Sequence, residues 1–171
     1  PSKSWGTRET IDGIKAAIWE VYNKHPKTHR LAIEHISAKN GGHLRPHVSH
    51  QSGRDVDMGM YFLGQPPIGP KRFLNGNNGK LDIPRTWSLL VALIGKKGKR
   101  KVQYIFLDYA VQRLIYRWAQ SKGKDPALLK RYFQYPRGKR HLGGVIRHVK
   151  GHRGHLHVRF PCPRGDKNCR R

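Results

Sequence analysis

The clearest helical pattern lies near the start of the chain. Between Glu9 and Asn23 the branched apolar residues recur every three or four positions and share one helical face: Ile11, Ile14, Ile18 and Val21. His25-Pro26 is expected to end this helix, because the residue before a proline avoids the helical region. Arg30 to Ser37 then predicts a strand, in which His35 is interpreted as structural.

The second half of the chain predicts further helices and a strand. Arg85 to Ile94 has a helical pattern, and Val102 to Leu107 is a strand rich in β-branched and aromatic residues. Asp108 is a suitable N-cap for a helix with one apolar face, which Gly123 is expected to end. Asp125-Pro126 opens a shorter helix that runs through Tyr132, since proline suits the first helical turn.

Glycine and proline interrupt the chain between these elements. Residues 38–49 are expected to be a loop, and residues 64–84 contain too many glycines and prolines for regular structure. Long loops in compact domains are usually functional or mobile, so we interpret residues 64–84 as one wall of a cleft.

Two short stretches, far apart in the chain, carry the candidate chemistry. They run from His47 to Met58 and from His152 to Phe160, and each is expected to enter a strand from a polar loop. Because strand side chains alternate, imidazoles or carboxylates share one face of each strand, and apolar side chains share the other. In the first stretch the polar set is Asp55, Asp57 and Gly59, and the apolar set is Val56, Met58 and Met60. In the second stretch the polar set is His155, His157 and Arg159, and the apolar set is Leu156, Val158 and Phe160.

If the two polar faces meet, they form a metal site. His50, Asp57 and His157 would supply two neutral nitrogens and one carboxylate oxygen, which leaves zinc a fourth position for water, as in catalytic sites. The eleven histidines of this basic chain could instead be surface residues, and an isolated His-X-His is weak evidence. The acid seven residues after His50 strengthens the metal interpretation, but spacing alone leaves both open.

The two motifs resemble those of a known family. His-X6-Asp followed far downstream by His-X-His is the signature of the superfamily of lysostaphin-type peptidases, D-alanyl-D-alanine peptidases and the Hedgehog amino-terminal domain. Within it, His47-Val-Ser-His50-Gln-Ser-Gly-Arg-Asp55-Val-Asp57 and His152-Arg-Gly-His155-Leu-His157-Val-Arg, with Cys162-Pro nearby, are similar to the penicillin-insensitive murein endopeptidases.

The resemblance implies roles for individual residues. It places the metal ligands at His50, Asp57 and His157, the catalytic base at His155, and further site histidines at His47 and His152. His47 is favoured over His43, because it keeps the three-residue spacing to His50, although the family usually runs Gly-Gly-His directly into its metal histidine. Asp55 shares the face of Asp57 and is either an outer carboxylate that holds a ligand histidine or Arg54, or a solvent-facing acid.

The expected protein is a single zinc peptidase domain over residues 1–171, a length that is sufficient for a core. We expect an α+β fold in which a central, mainly antiparallel sheet carries the metal site on one face, with helices on the other face and long irregular loops around the cleft. By resemblance, the substrate is the peptide cross-link of peptidoglycan, cut between D-alanine and diaminopimelate, and the cofactor is Zn²⁺.

Two other functions are considered. One is a basic module that binds a cell-wall polymer or nucleic acid and has lost catalysis, as Hedgehog-type domains illustrate; the retained His155 argues against it. The other is a D,D-carboxypeptidase, which would be expected to carry glutamate where Gly154 stands.

The two cysteines, Cys162 and Cys169, are either free thiols or a small disulfide loop. The resembling family often carries a pair at this offset, which favours the disulfide and an oxidising compartment, so that we expect a secreted or periplasmic protein.

The charge is the strongest signal in the composition. Thirty-five Lys and Arg against ten Asp and Glu give a formal net charge of +25, which favours a polyanionic partner but does not choose among nucleic acid, anionic lipid and cell-wall polymers. The family resemblance implies peptidoglycan and other anionic wall polymers, with nucleic acid as the less favoured partner. Basic clusters at residues 96–101 and 137–140 are interpreted as exposed loops. With 36% hydrophobic residues and no long apolar run, no membrane span is expected, and the protein is expected to be a monomer.

Overall fold

The computed structural model describes residues 2–64, 75–76, 79–95, 101–167 and 169. Within them the fold is α+β, as predicted, and it has four helices and a four-stranded mixed sheet. The strands are β1 (Asp55–Met58), β2 (Tyr104–Phe106), β3 (Ile146–Arg147) and β4 (Leu156–Arg159), in the order β1-β4-β2-β3. Strand β4 pairs antiparallel with β1 and β2, while β2 and β3 are parallel.

The helices are α1 (Arg8–Lys24), α2 (Ile83–Ile94), α3 (Tyr109–Ser121) and α4 (Pro126–Tyr132). A side-chain oxygen caps the first turn of each, from Thr7, Asp82, Asp108 and Asp125. Such caps satisfy backbone N–H groups that lack a partner inside the helix. The predicted N-cap at Asp108 is confirmed, and α2 begins two residues earlier than predicted, because Pro84 lies in its first turn and not in the preceding loop.

The apolar faces of β1 and β4 lie on the core. Val56, Met58, Leu156 and Val158 are completely buried, each contributing roughly 1.5–3 kcal/mol of hydrophobic free energy. The predicted alternation is therefore confirmed for β1 and β4. Their opposite face carries the carboxylates and imidazoles described below.

Helix α1 packs closely against the end of β4. Ile14, Ala17 and Val21 are buried on its inner face, and a Cβ on Gly13 would overlap the Phe160 ring. The absent side chain at residue 13 thus lets the helix approach the sheet.

The prediction of a strand from Arg30 to Ser37 is wrong. This segment forms one isolated bridge, from Ile33 to Met58. It follows β1 through separate backbone bonds, in which Glu34 N donates to Asp57 O and Asp57 N donates to His35 O. These hydrogen bonds run along the edge of the sheet but do not form a regular ladder. The alternation of apolar residues in this segment does not distinguish a regular strand from such an irregular edge segment.

Several loop predictions fall partly outside the described residues. Of the predicted cleft wall, residues 65–74 and 77–78 lie outside them, as do residues 96–100 of the first basic cluster. Lys101 forms an exposed ion pair with Glu20 at 2.8 Å. The second cluster is not wholly exposed, because the half-buried Arg137 donates to the carbonyl oxygens of Lys130 and Phe133.

Cys162 and Cys169 form a disulfide, with Cα atoms 5.7 Å apart, which confirms that prediction. Among the described residues, the helices are too short or too polar to cross a bilayer.

Candidate metal centre

The register between β1 and β4 brings the two motifs together. Asp57 lies directly opposite His157, and Asp55 lies opposite Arg159. Residues directly opposite in an antiparallel pair have Cβ atoms roughly 4.5–5.5 Å apart. Four polar side chains from distant parts of the chain therefore share a small area on one face of the sheet.

His50, Asp57 and His157 form a buried cluster. His50 Nε2 is 3.3 Å from Asp57 Oδ1, and His157 Nδ1 is 3.4 Å from the same oxygen. Their candidate ligand atoms all lie within 4.8 Å of one another. Tetrahedral zinc ligands at about 2.0–2.1 Å from the ion are themselves about 3.3–3.4 Å apart, so both distances fit a shared ion.

Two atoms of this cluster have no hydrogen-bond partner in the described part of the chain. They are His50 Nε2 and Asp57 Oδ1, both buried, and their mutual approach lacks hydrogen-bond geometry. An unsatisfied buried polar group costs about 1–3 kcal/mol, and more when it is charged. Two such atoms facing each other beside a third donor atom fit the chemistry of a divalent cation.

The outer nitrogens of the two histidines are held by hydrogen bonds. His50 Nδ1–H donates to the Ile36 carbonyl at 2.9 Å, and His157 Nε2–H donates to Asp55 Oδ1 at 2.8 Å. Arg159 Nε donates to the same oxygen of Asp55 at 2.8 Å. These bonds direct the other ring nitrogen of each imidazole at Asp57, an arrangement that commonly orients metal-binding histidines.

The environment keeps both aspartates ionised. Burial acts to raise the pKa of Asp57, but the surrounding imidazoles, first of all His50, outweigh it, so that the net pKa is lowered. Burial also acts to raise the pKa of Asp55, and the hydrogen bond from His157 with the charge of Arg159 again lowers it. The cluster therefore carries anionic oxygens without needing a bound proton.

His155 and His152 lie beside the cluster and are partly exposed. His155 Nε2 is 3.7 Å from Asp57 Oδ1, and its side chain keeps 19% of its exposure. Burial lowers the pKa of His155 to about 4, so its imidazole is neutral at physiological pH. The ring centroid of His152 is 4.8 Å from that of His155, and burial lowers the pKa of His152 as well.

His47 approaches the other carboxylate oxygen of Asp57. His47 Nδ1 is 3.6 Å from Asp57 Oδ2, and its ring centroid is 4.2 Å from that of His50. His43, the alternative considered from the sequence, is exposed. Burial lowers the pKa of His47, so this ring is a second neutral imidazole at the same carboxylate.

Three contacts at this site were missed by the sequence analysis. His35 Nδ1 lies 2.7 Å from His47 Nε2, and these two histidines with Asp57 form a second group of potential metal ligands. Ser49 Oγ lies 3.3 Å from His157 Nε2, and Phe106 packs its ring edge-on to His157. Phe106 lies opposite His157 in the register of β2 and β4, and this register cannot be read from the sequence. We find no sequence signal for the contact of His35.

The sheet and its buried His₂Asp cluster define an α+β protein with a site suited to a divalent metal ion. A family model described as penicillin-insensitive murein endopeptidase matches residues 2–171, and the chain belongs to that family. Two proteins of this description, from Klebsiella pneumoniae subsp. pneumoniae and K. pneumoniae strain 342, are each 28% identical over 177 residues. The match covers 96% of this chain but only 57% of the length of these relatives.

Proposed function

We propose that this protein is a zinc-dependent endopeptidase that hydrolyses peptide cross-links of peptidoglycan, between D-alanine and diaminopimelate. Its family supports a peptidase that acts on the cell wall. The observation that carries the metal dependence is the pair of buried atoms without partners, His50 Nε2 and Asp57 Oδ1.

In this proposal His50, Asp57 and His157 hold the ion. Two nitrogens and one carboxylate oxygen suit zinc and leave a position for water. When bound, the ion would polarise the scissile carbonyl and lower the pKa of a water molecule from about 15.7 to roughly 7. Asp55 and the Ile36 carbonyl keep the two imidazoles in the tautomers that such binding needs.

His155 is the proposed general base. It is neutral, partly exposed and adjacent to Asp57, so that Nε2 can accept the proton of the attacking water as the new carbon–oxygen bond forms. The carbon–nitrogen bond then breaks, and the departing amine takes up the proton that His155 accepted from the water, directly or by way of His152 or His47, which flank the cluster. A general base of this kind typically contributes ~10²–10⁴-fold to the rate.

The disulfide supports a secreted or periplasmic location, because disulfides persist in oxidising compartments. The net charge of +25 supports adsorption to the anionic polymers of the wall. The single-domain organisation over residues 1–171 and the monomeric state stay predictions.

The same charge favours a second candidate, a basic module that binds a wall polymer or nucleic acid without catalysis. That module has no use for a chelatable ion. Cleavage that a chelator abolishes therefore identifies the peptidase, whereas binding without any cleavage identifies the module.

The test is mass spectrometry of the fragments released from purified cross-linked peptidoglycan, with and without a chelator. We expect cross-linked dimers to become monomers with a new D-alanine carboxyl end, and a chelator to stop this. Asp57→Ala should lose both zinc and activity, whereas Asp12→Ala, an exposed carboxylate of α1, should keep both. Full zinc occupancy in Asp57→Ala would overturn the ligand assignment.

A further inference from the structure

A cavity of about 740 Å³ adjoins the segments that hold the metal cluster. Its walls include Ser37 and Gln51, and these are the sequence neighbours of Ile36, which accepts the His50 hydrogen bond, and of His50 itself. We propose that this cavity binds an N-acetylated amino sugar of the glycan strand. The inference rests on the proposed function, since it concerns the same peptidoglycan substrate.

An aromatic side chain stands at the cavity. Trp5 lines it with 47% of its surface exposed, and its backbone N–H donates to the Ser37 carbonyl at 3.1 Å, which fixes the residue in place. The indole offers a large, rigid apolar surface with one polar edge. A pyranose ring, which is apolar on its C–H face and polar around its rim, matches such a surface.

A buried hydroxyl in the wall lacks a partner. Ser37 lines the cavity and is 1% exposed, and its Oγ has no hydrogen-bond partner among the described residues. This hydroxyl is closed off from water, so Ser37 supports the cavity through its backbone carbonyl, which accepts from Trp5 N.

The remaining polar groups suit a neutral ligand. Asn40 and Gln51 contribute amide side chains, and Gln51 Nε2 donates to the Val48 carbonyl at 2.7 Å, which orients its amide. The charged lining residues are of both signs, namely Lys39, Lys167 and Asp166. A site built for a polyanion would exclude the carboxylate, so this balance favours a sugar over an acidic polymer.

The walls are tied together by the fold. Gly42 N donates to Gln51 O at 2.8 Å, and Thr7 N donates to Gly53 O at 2.9 Å. The Cys162–Cys169 disulfide closes the loop that contributes Asp166 and Lys167. A cavity of this volume lies within the usual range of about 300–1,000 Å³ for ligand sites, and fixed walls reduce the ordering cost of binding.

The position of the cavity gives it a use. The peptide stems of peptidoglycan branch from its amino sugars, so a sugar held beside the His50 segment would present a stem in the neighbourhood of the metal cluster. The cavity would thereby favour cross-links that are still attached to glycan.

The experiment uses peptide-free glycan strands, and binding to the intact protein is measured by calorimetry. We expect Trp5→Ala to weaken this binding about tenfold, the loss of one aromatic contact of about 1.4 kcal/mol. Trp19→Ala, an exposed tryptophan on α1 outside the cavity, is the matched control and should bind as the parent does. Asn40→Ala, at an exposed position of the cavity rim, should also weaken binding and keeps the test valid if Trp5→Ala does not fold.

Three results would overturn the inference. The first is that the parent does not bind glycan strands, and the second is that the folded cavity variants bind them as the parent does. The third is that the cavity variants lose affinity only for a sugar-free peptide and not for glycan. Cleavage of a sugar-free cross-linked peptide dimer by the parent tests the proposed function separately. Cleavage without glycan binding refutes only the sugar site, whereas glycan binding without cleavage refutes only the endopeptidase.

Discussion

His157 donates its Nε2–H to Asp55 at 2.8 Å and thereby directs Nδ1 at Asp57, 3.4 Å away. Asp55 thus fixes the tautomer of His157, and Asp57 faces the other ring nitrogen of that histidine. Asp55 is itself held by Arg159, so the orientation of the proposed ligand depends on a residue that would not touch the metal.

Asp55→Asn is therefore expected to weaken zinc binding about 10–100-fold, the usual cost of losing such an outer carboxylate. The neutral amide accepts a weaker hydrogen bond from His157 and no longer offsets the charge of Arg159. Competition with a chromophoric chelator measures the affinity, and Asp12→Asn, at an exposed site on α1, is the control. Equal affinity in both variants would show that Asp55 has no part in the metal centre.

His155→Ala is expected to keep its zinc and its fold while losing turnover by about 10²–10⁴-fold, because it removes the proposed base and no ligand. His157→Ala should instead lose the metal. Elemental analysis and turnover on a soluble cross-linked dimer are measured for both. If His155→Ala is the variant without zinc and His157→Ala retains it, the two roles are exchanged.

His47→Ala is expected to reduce turnover about 10²-fold with zinc retained, since His47 Nδ1 lies 3.6 Å from Asp57 Oδ2 and His47 is proposed to relay a proton to the departing amine. His43→Ala provides the matched control, because that histidine lies four residues earlier in the same loop but is exposed. A larger loss in His43→Ala than in His47→Ala would reverse the choice between them.

Gly53→Ala is expected to destabilise the fold. Gly53 has φ +71°, and an added Cβ would lie 3.0 Å from Thr7 N. The backbone conformation alone costs roughly 1–2 kcal/mol for an L-residue. Gly123→Ala isolates that cost, because its φ is +66° and a Cβ there meets nothing within 4 Å. Denaturant unfolding should give the larger loss for Gly53→Ala; equal losses would mean that the contact with Thr7 relaxes freely.

Adsorption to purified walls is expected to fall steeply with ionic strength, because exposed charges are screened beyond about 8 Å at physiological salt. Neutralising the first basic cluster should flatten this dependence while leaving cleavage of a small soluble dimer almost unchanged; the residues are Lys96, Lys97, Lys99, Arg100 and Lys101. Sedimentation with walls across a salt series measures it. Parent-like adsorption at every salt concentration would place the interaction elsewhere on the protein.

The sequence by itself determined the local features of this protein. The periodicity of α1 and the acidic caps at Asp108 and Asp125 are short-range signals, and the structure confirms them. Alternation in Leu156–Arg159 likewise fixed which side chains share a face, because a strand has a period of two whatever its neighbours are.

Only the tertiary structure decided how those faces meet. The register that sets Asp57 opposite His157, the parallel pairing of β2 with β3, and the contact of His35 with His47 join residues distant in the chain. Arg30 to Ser37 failed as a strand for the same reason, since its hydrogen bonds depend on a partner and not on its own alternation. Local sequence specifies conformation and facing, whereas pairing between segments depends on packing of the whole chain, which no single motif encodes.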